Sequence, residues 1–305
     1  MTARPEQQAG VADCDLGGMR ALVTGSTSGI GREIALAVGR LGADVLVHGR
    51  NADAGARVVD ELHSLGREAR FVSADFASVG EVRALAAAVG EWTDKLDLLF
   101  HNAGGLFGES KLTELGVEYT FHVNHLSAYL LTAELFSTLT PDARIITTSS
   151  AAHRGVTLDL GTVQSVDDYS AFRAYQRSKL ANIQFTTELA RRLAADEQAG
   201  NEITANAFHP GAIPGSGFAR FLPGPLPQLV SAARVLPFVP TVVDGATTPV
   251  FLAGSPRVDG VSGRYFANCE PKAPSKPARD RTAQRRLFER SAELLGIDEL
   301  LQPDA

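Results

Sequence analysis

MRALVTGSTSGIG, residues 19–31, decides the fold. The stretch opens as a short apolar run, enters glycine at Gly25 and gives way to a helix-like segment from Gly31 to Leu41. An apolar run of this length ending in glycine suits a buried strand. Gly25, Gly29 and Gly31 let the chain turn sharply and bring backbone amides close to a pyrophosphate. The helix that follows presents unpaired N–H groups and the positive end of its dipole to that anion. Ser26, Thr27, Ser28 and Ile30 complete the turn, and the hydroxyls of Ser26 and Thr27 are candidate donors to a bound phosphate.

The same alternation continues outward. ADVLVHGR reads as a second strand, AGARVVDELHSLG as a helix, REARFVSADF as a strand and EVRALAAAVGEWT as a helix. LDLLFHNAGG is a fourth strand running into glycines, and residues 116–139 form one long helical pattern. ARIITTSSA and EITANAFHPGA are further strands on either side of a helix that contains Tyr175. Strands alternating with helices predict an α/β protein, a single-domain Rossmann-type doubly wound parallel sheet flanked by helices on both faces. The predicted divisions are a flexible polar tail over 1–18, a catalytic domain over 19–268 and a C-terminal extension with a helix over 269–305. Within the domain, residues 211–240 are rich in Pro and Gly yet carry Phe218, Phe221, Leu222 and Phe238. They are a candidate lid over an apolar ligand, or else an element packed on the core.

Composition narrows the function classes. At 44% hydrophobic and 21% charged, the 305-residue chain is ordinary for a soluble domain, and a net charge of −6 gives no reason to expect nucleic-acid binding. Cys14 and Cys269 stand far apart and form no metal-ligand spacing, so neither zinc nor a disulfide framework is expected. The N-terminus lacks an apolar signal core and no run is long enough to span a bilayer, so a cytoplasmic location is expected.

Tyr175 and Lys179 carry the chemistry. Residues four apart on a helix share a face. An ammonium beside a phenol favours the phenolate, which predicts a lowered tyrosine pKa and proton exchange with an alcohol or carbonyl near neutral pH. At the end of the second strand an acidic residue would bond a ribose 2′-OH, but the chain has Gly49 and then Arg50. A guanidinium can pair with a 2′-phosphate, so NADP(H) is expected over NAD(H). The alternative is that Arg50 is a solvated surface charge.

With these motifs together the chain resembles the short-chain dehydrogenase/reductase family over roughly residues 18–268. TGSTSGIG looks like its TGxxxGxG cofactor motif. HNAG, with Asn102, Ala103 and Gly104, looks like its NNAG motif, His101 replacing the first Asn. The resemblance implies that Asp75, with Phe76 beside it, borders adenine, and that Asn124 stabilises a helix irregularity. It implies that Ser150 is the catalytic serine, with Ser149 the alternative, and that Tyr175 and Lys179 are its YxxxK pair. Lys179 then also holds the nicotinamide ribose, and Pro210 and Gly211 are the motif after the sixth strand. HVNHLSAYLLT, the Tyr175 helix and GRYFANCEPKAPS are similar to the retinol-dehydrogenase-like branch, which includes WW-domain oxidoreductases and light-dependent protochlorophyllide reductases.

The expected function is an NADP(H)-dependent oxidoreductase acting on the carbonyl or alcohol of a hydrophobic small molecule. Tyr175 is the general acid/base and Ser150 orients the substrate oxygen, with no metal. A non-catalytic NADP(H)-binding redox sensor is the alternative. A homo-oligomer is possible through the helices carrying Asn124 and Tyr175, unless the C-terminal extension obstructs them.

Overall fold

The alternating pattern resolves into one eight-stranded sheet. The protein is described by a computed structural model covering residues 3–196, 202–211, 213 and 240–301. The strands are β1 (Arg20–Val23), β2 (Asp44–Gly49), β3 (Ala69–Ser73), β4 (Leu96–His101), β5 (Leu139–Thr148), β6 (Thr204–Phe208), β7 (Tyr265–Ala267) and β8 (Glu270–Pro271). Their order is β3-β2-β1-β4-β5-β6-β7-β8, parallel throughout except for the final antiparallel β7–β8 pair. The order reverses between β1 and β4. At such a switch point the loops leaving the strand ends diverge to opposite faces and open a crevice.

The helices are α1 (Pro5–Gln8), α2 (Gly29–Arg40), α3 (Ala52–Ser64), α4 (Val79–Trp92), α5 (Tyr119–Phe121), α6 (Ser127–Leu135), α7 (Ala171–Ala195), α8 (Val242–Gly254) and α9 (Arg281–Leu295). Successive strand residues feed opposite cores. Ala21, Val23, Val45 and Val47 pack with Ile34, Val38 and Phe251 on one face. Leu22, Leu46 and Leu99 pack with Val82, Leu130 and Phe185 on the other. Both faces are covered, which is why the strands read as continuous apolar runs instead of alternating ones.

Three expectations meet a different outcome or fall out of reach. The single long helix over 116–139 is interrupted, because His122–Leu126 winds as a π-helical turn between α5 and α6. The tail over 1–18 packs from residue 3 onward. Glu6 is buried and grips Arg40 through two hydrogen bonds of 2.6 and 2.9 Å. Burial pushes the Glu6 carboxyl up, but the Arg40 bonds outweigh it and hold the pKa low. Val11 and Leu16 insert into the core beside α2 and α8, so two apolar side chains anchor a stretch whose composition is otherwise polar. The lid reading rests almost wholly on residues outside those described.

The C-terminal extension is a structural layer. Asp280 caps α9 by accepting from the N–H groups of Thr282 and Ala283, and Gly296 closes it at φ 64°. Phe288 meets Tyr129 edge-on at 4.8 Å and stacks on Phe185 at 5.8 Å, so α9 covers the face shared by α6 and α7. Fully burying one such side chain contributes about 1.5–3 kcal/mol. No helix among the described residues is long and apolar enough to cross a membrane.

Five histidines, His48, His101, His122, His125 and His153, are buried in this interior. Burial lowers the pKa of His48 and His122 to about 4, and of His101 and His125 to about 3, from an ordinary 6.5. Between the two values the unfolded chain binds more protons than the folded one. Stability is therefore full above the ordinary histidine pKa and falls as pH drops through about 6.5 towards 4. The slope gains about 1.4 kcal/mol per pH unit for each fully neutral histidine. His101→Asn should lower that slope by one proton in denaturant unfolding measured across this window. An unchanged slope would show that His101 does not titrate in this way.

Candidate functional site

The glycine turn after β1 and the loop after β4 are one unit. Thr24 Oγ1 donates to the Phe100 carbonyl at 2.8 Å and accepts from the N–H groups of Asn102 and Ala103 at 2.9 and 3.0 Å. Asn102 Nδ2 returns a bond to the Thr24 carbonyl at 2.9 Å. The approach is close enough to demand glycine twice. A Cβ on Gly25, at φ +67°, would lie 2.9 Å from Ala103 Cα. A Cβ on Gly31 would lie 2.3 Å from the Gly25 oxygen and 2.4 Å from Asn102 Nδ2. Helix α2 begins at Gly29, and the Ser28 side chain makes no cap bond. The first amides, at Gly29, Ile30 and Gly31, therefore keep their donors for an anion in the crevice. A dinucleotide pyrophosphate fits this cradle.

Two expected contacts on the adenine side need correction. Ser26 is fully buried. Its hydroxyl donates to the Val23 carbonyl at 2.6 Å and its N–H to the His48 carbonyl at 2.8 Å, so both donors are spent on the fold. Phe76 is also buried, stacked on His48 at 4.6 Å, and supports the site from beneath. Thr27 lies over Gly49, where a Cβ would come within 2.6 Å of its methyl. Arg50 is well exposed and reaches Asp75 at 3.7 Å, a surface pair of small worth.

His48 escaped the sequence reading. Gly25 N–H can only donate and does so to Nδ1 at 3.2 Å, while the Ala74 carbonyl can only accept and faces Nε2 at 3.1 Å. The ring is therefore neutral with its proton on Nε2, and it holds the first glycine of the turn. Its signal was a polar residue at a buried strand position, one before Gly49.

Ser150, Tyr175, Lys179 and Asn124 converge at the ends of β4 and β5. Ser150 caps a short 3₁₀ turn, and its hydroxyl lies against the Tyr175 phenol. The neighbouring Ser149 is turned away, donating to the Lys179 carbonyl at 2.7 Å, so of the two serines it is Ser150 that faces Tyr175. Asn124 sits in the π turn. Its Oδ1 accepts from Gly105 N–H at 2.8 Å, and its Nδ2 donates to the Gly105 carbonyl and to Ser178 Oγ, each at 2.9 Å. It thus clamps the loop after β4 to α7, and a Cβ on Gly104, at φ +142°, would strike its oxygen at 2.5 Å.

Lys179 is buried, and its ammonium donates to the Thr148 carbonyl at 3.2 Å. Burial lowers its pKa to about 8. The expected depression of Tyr175 does not appear. Burial pushes the phenol up, and the Ser150 bond only partly opposes this. Helix spacing placed the pair correctly, but Lys179 turns towards a carbonyl, with Nζ 5.7 Å from the Tyr175 ring centre. Tyr175 is thus held protonated at neutral pH.

His153 and His209 also shape the site. His153 Nδ1 donates to the Ser150 carbonyl at 2.6 Å, and Nε2 accepts from Ser275 N–H at 3.1 Å, tying the serine to the C-terminal extension. Gly211, at φ +88°, donates its N–H to His209 Nδ1 at 3.1 Å, which fixes the turn after Pro210. Both imidazoles pack on Tyr265.

The chain is similar to known proteins over most of its length. The profile of the family described as short chain dehydrogenase matches residues 19–221. Retinol dehydrogenase 14 of Mus musculus is 36% identical, over 96% of this chain and 91% of that protein. A short chain dehydrogenase from Burkholderia cenocepacia J2315, solved in complex with NADP, superposes with a TM-score of 0.65 at 28% identity, covering 82% of this chain and 96% of that one. Landomycin C-6 ketoreductase LanV, solved with bound NADP and rabelomycin, superposes with a TM-score of 0.64 at 26% identity, covering 84% and 96%.

Proposed function

The chain belongs to the short-chain dehydrogenase family of oxidoreductases, within its retinol-dehydrogenase-like branch, and on that footing we propose that it is an NADP(H)-dependent reductase and dehydrogenase of hydrophobic carbonyls and alcohols. The observation that carries the reading is the Ser150 hydroxyl set against the Tyr175 phenol, with buried Lys179 one helical turn on. Bound nicotinamide supplies the hydride for reduction and takes it up in oxidation. The residues of the chain manage the oxygen. Ser150 hydrogen-bonds the substrate oxygen and fixes its position. Tyr175 gives its proton to that oxygen as negative charge develops there, and receives it back in oxidation. A phenol whose pKa is raised rests protonated near neutral pH, the state from which it donates in reduction. Lys179, with a pKa near 8, holds the ribose and can restore the tyrosine proton. Asn124 acts by holding the loop after β4 against α7.

Three finer points belong to the same proposal. Arg50 can present its forked donors to a 2′-phosphate, and two of the similar solved structures carry NADP. A hydrophobic substrate is supported by the names of the similar proteins, a retinol dehydrogenase and a ketoreductase solved with rabelomycin. Cys14 and Cys269 are both free, in keeping with a reducing, cytoplasmic compartment. A homo-oligomer would have to pack through a face other than the one α9 covers.

Tyr175→Phe should cut NADPH-dependent reduction of hydrophobic ketones by about 10²-fold or more, the scale of a lost general acid, with cofactor affinity nearly unchanged. Substantial residual turnover would remove Tyr175 from its role and favour a cofactor-binding module over an enzyme. Arg50→Ala should weaken NADPH binding by about tenfold or more, the scale of a lost charge-assisted contact, and leave NADH binding nearly as it was. Equal losses for both cofactors would overturn the 2′-phosphate assignment.

A further inference from the structure

A cavity of about 690 Å³ lies between the C-terminal half of α7, the start of β7 and the segment leading into α9. It is separate from the catalytic residues. Thr187, on its wall, stands twelve residues beyond Tyr175 on the same helix, about 18 Å along the axis. Arg191, Arg264, Lys272, Arg279 and Arg281 line it, and no carboxylate does. Arg191 is engaged with Glu188 and Gln284. The other four cations have no ion-pair partner among the described residues.

This grouping is costly in two ways. It gathers five cations around one concavity, where they repel one another. Burial lowers the Arg191 pKa, and the charges of Arg281 and Arg192 push it the same way. In addition, Arg281 is the first residue of α9, where the helix dipole disfavours a cation. An anion bound in the cavity would relieve both costs. The concavity has the volume of a small-ligand site, and the cations surround it instead of running along an extended face as a nucleic-acid stripe does. Ala190, Ala194 and Ala278 supply an apolar wall beside them.

We propose that this cavity binds a small oligoanion bearing two or more phosphate-type groups, held by the forked donors of Arg264, Arg279 and Arg281 and by the Lys272 ammonium. The site is independent of the hydride-transfer reading, and either can fail without the other. Ser275, next to the cavity wall, donates to His153 and so connects the pocket to Ser150.

Calorimetric titration with inorganic tripolyphosphate, repeated with a nucleoside triphosphate, tests the proposal at low and moderate salt. The wild-type protein should bind one equivalent, more weakly as salt rises. The double variant Arg264→Glu, Lys272→Glu should bind about tenfold or more weakly, as expected for two lost charge-assisted contacts. Both side chains lie at the surface without ion pairs, and unchanged circular dichroism would confirm folding. Arg279→Gln, which adds no repulsion, should give a smaller loss in the same direction. Arg50→Ala, at the cofactor turn, should leave this binding intact. Tighter binding of the nucleotide would place its organic part on the alanine wall, and equal binding would show recognition of the phosphates alone. Absence of saturable binding, or a loss confined to Arg50→Ala, would overturn the proposal.

Discussion

Everything at the site depends on the seam between the loops that leave β1 and β4. Thr24 Oγ1 takes part in three hydrogen bonds across that seam, and Asn102 adds a fourth. Because the strand order reverses there, the two loops would otherwise splay apart. Tied together they form a crevice floor whose amides point outward, and the glycines follow from the tie. Gly25 and Gly31 are needed because the second loop presses against the first at distances no side chain tolerates. His48 extends the same restraint to β2, since it holds the Gly25 amide while stacked on Phe76.

The Tyr175 side of the site is built by the same kind of closure. The π turn at His122–Leu126 sets Asn124 where one amide side chain can satisfy both backbone groups of Gly105 and reach Ser178 on α7. That clamp brings the β4 loop, which borders the cofactor crevice, against the helix that carries Tyr175 and Lys179. The two halves of the site therefore share a backbone support and are not assembled independently. Burial does the electrostatic tuning. It raises the phenol and lowers the ammonium, so Tyr175 and Lys179 are both pushed towards neutrality.

Much of this was legible in the sequence because each motif has a geometric reason that survives without coordinates. A strand ending in TGSTSGIG has few other uses, and Tyr175 and Lys179 must share a helical face. What the sequence hid were contacts that depend on which way a side chain turns. Ser26 looks like a phosphate donor but bonds inward to Val23. Lys179 looks like the group that acidifies Tyr175 but faces the Thr148 carbonyl. Ser149 and Ser150 are indistinguishable as letters, and only the alternation of the strand end separates them. The polar N-terminal stretch concealed its docking because Val11, Leu16 and the Glu6–Arg40 pair suffice to hold it. His153 gave no signal, since one of its two partners, Ser275, lies 122 residues further along the chain.

The central claim is that these residues complete a hydride transfer at a carbon whose oxygen is protonated by the protein. The most direct measurement is a single-turnover reaction with NADPH deuterated at the transferable C4 position, run against hydrophobic ketones and aldehydes. Mass spectrometry of the product then locates the label. The account predicts one deuterium on the carbinol carbon and an ordinary exchangeable proton on its oxygen. Cofactor oxidation without deuterium in the product, or tight NADPH binding with no transfer to any carbonyl tested, would contradict it.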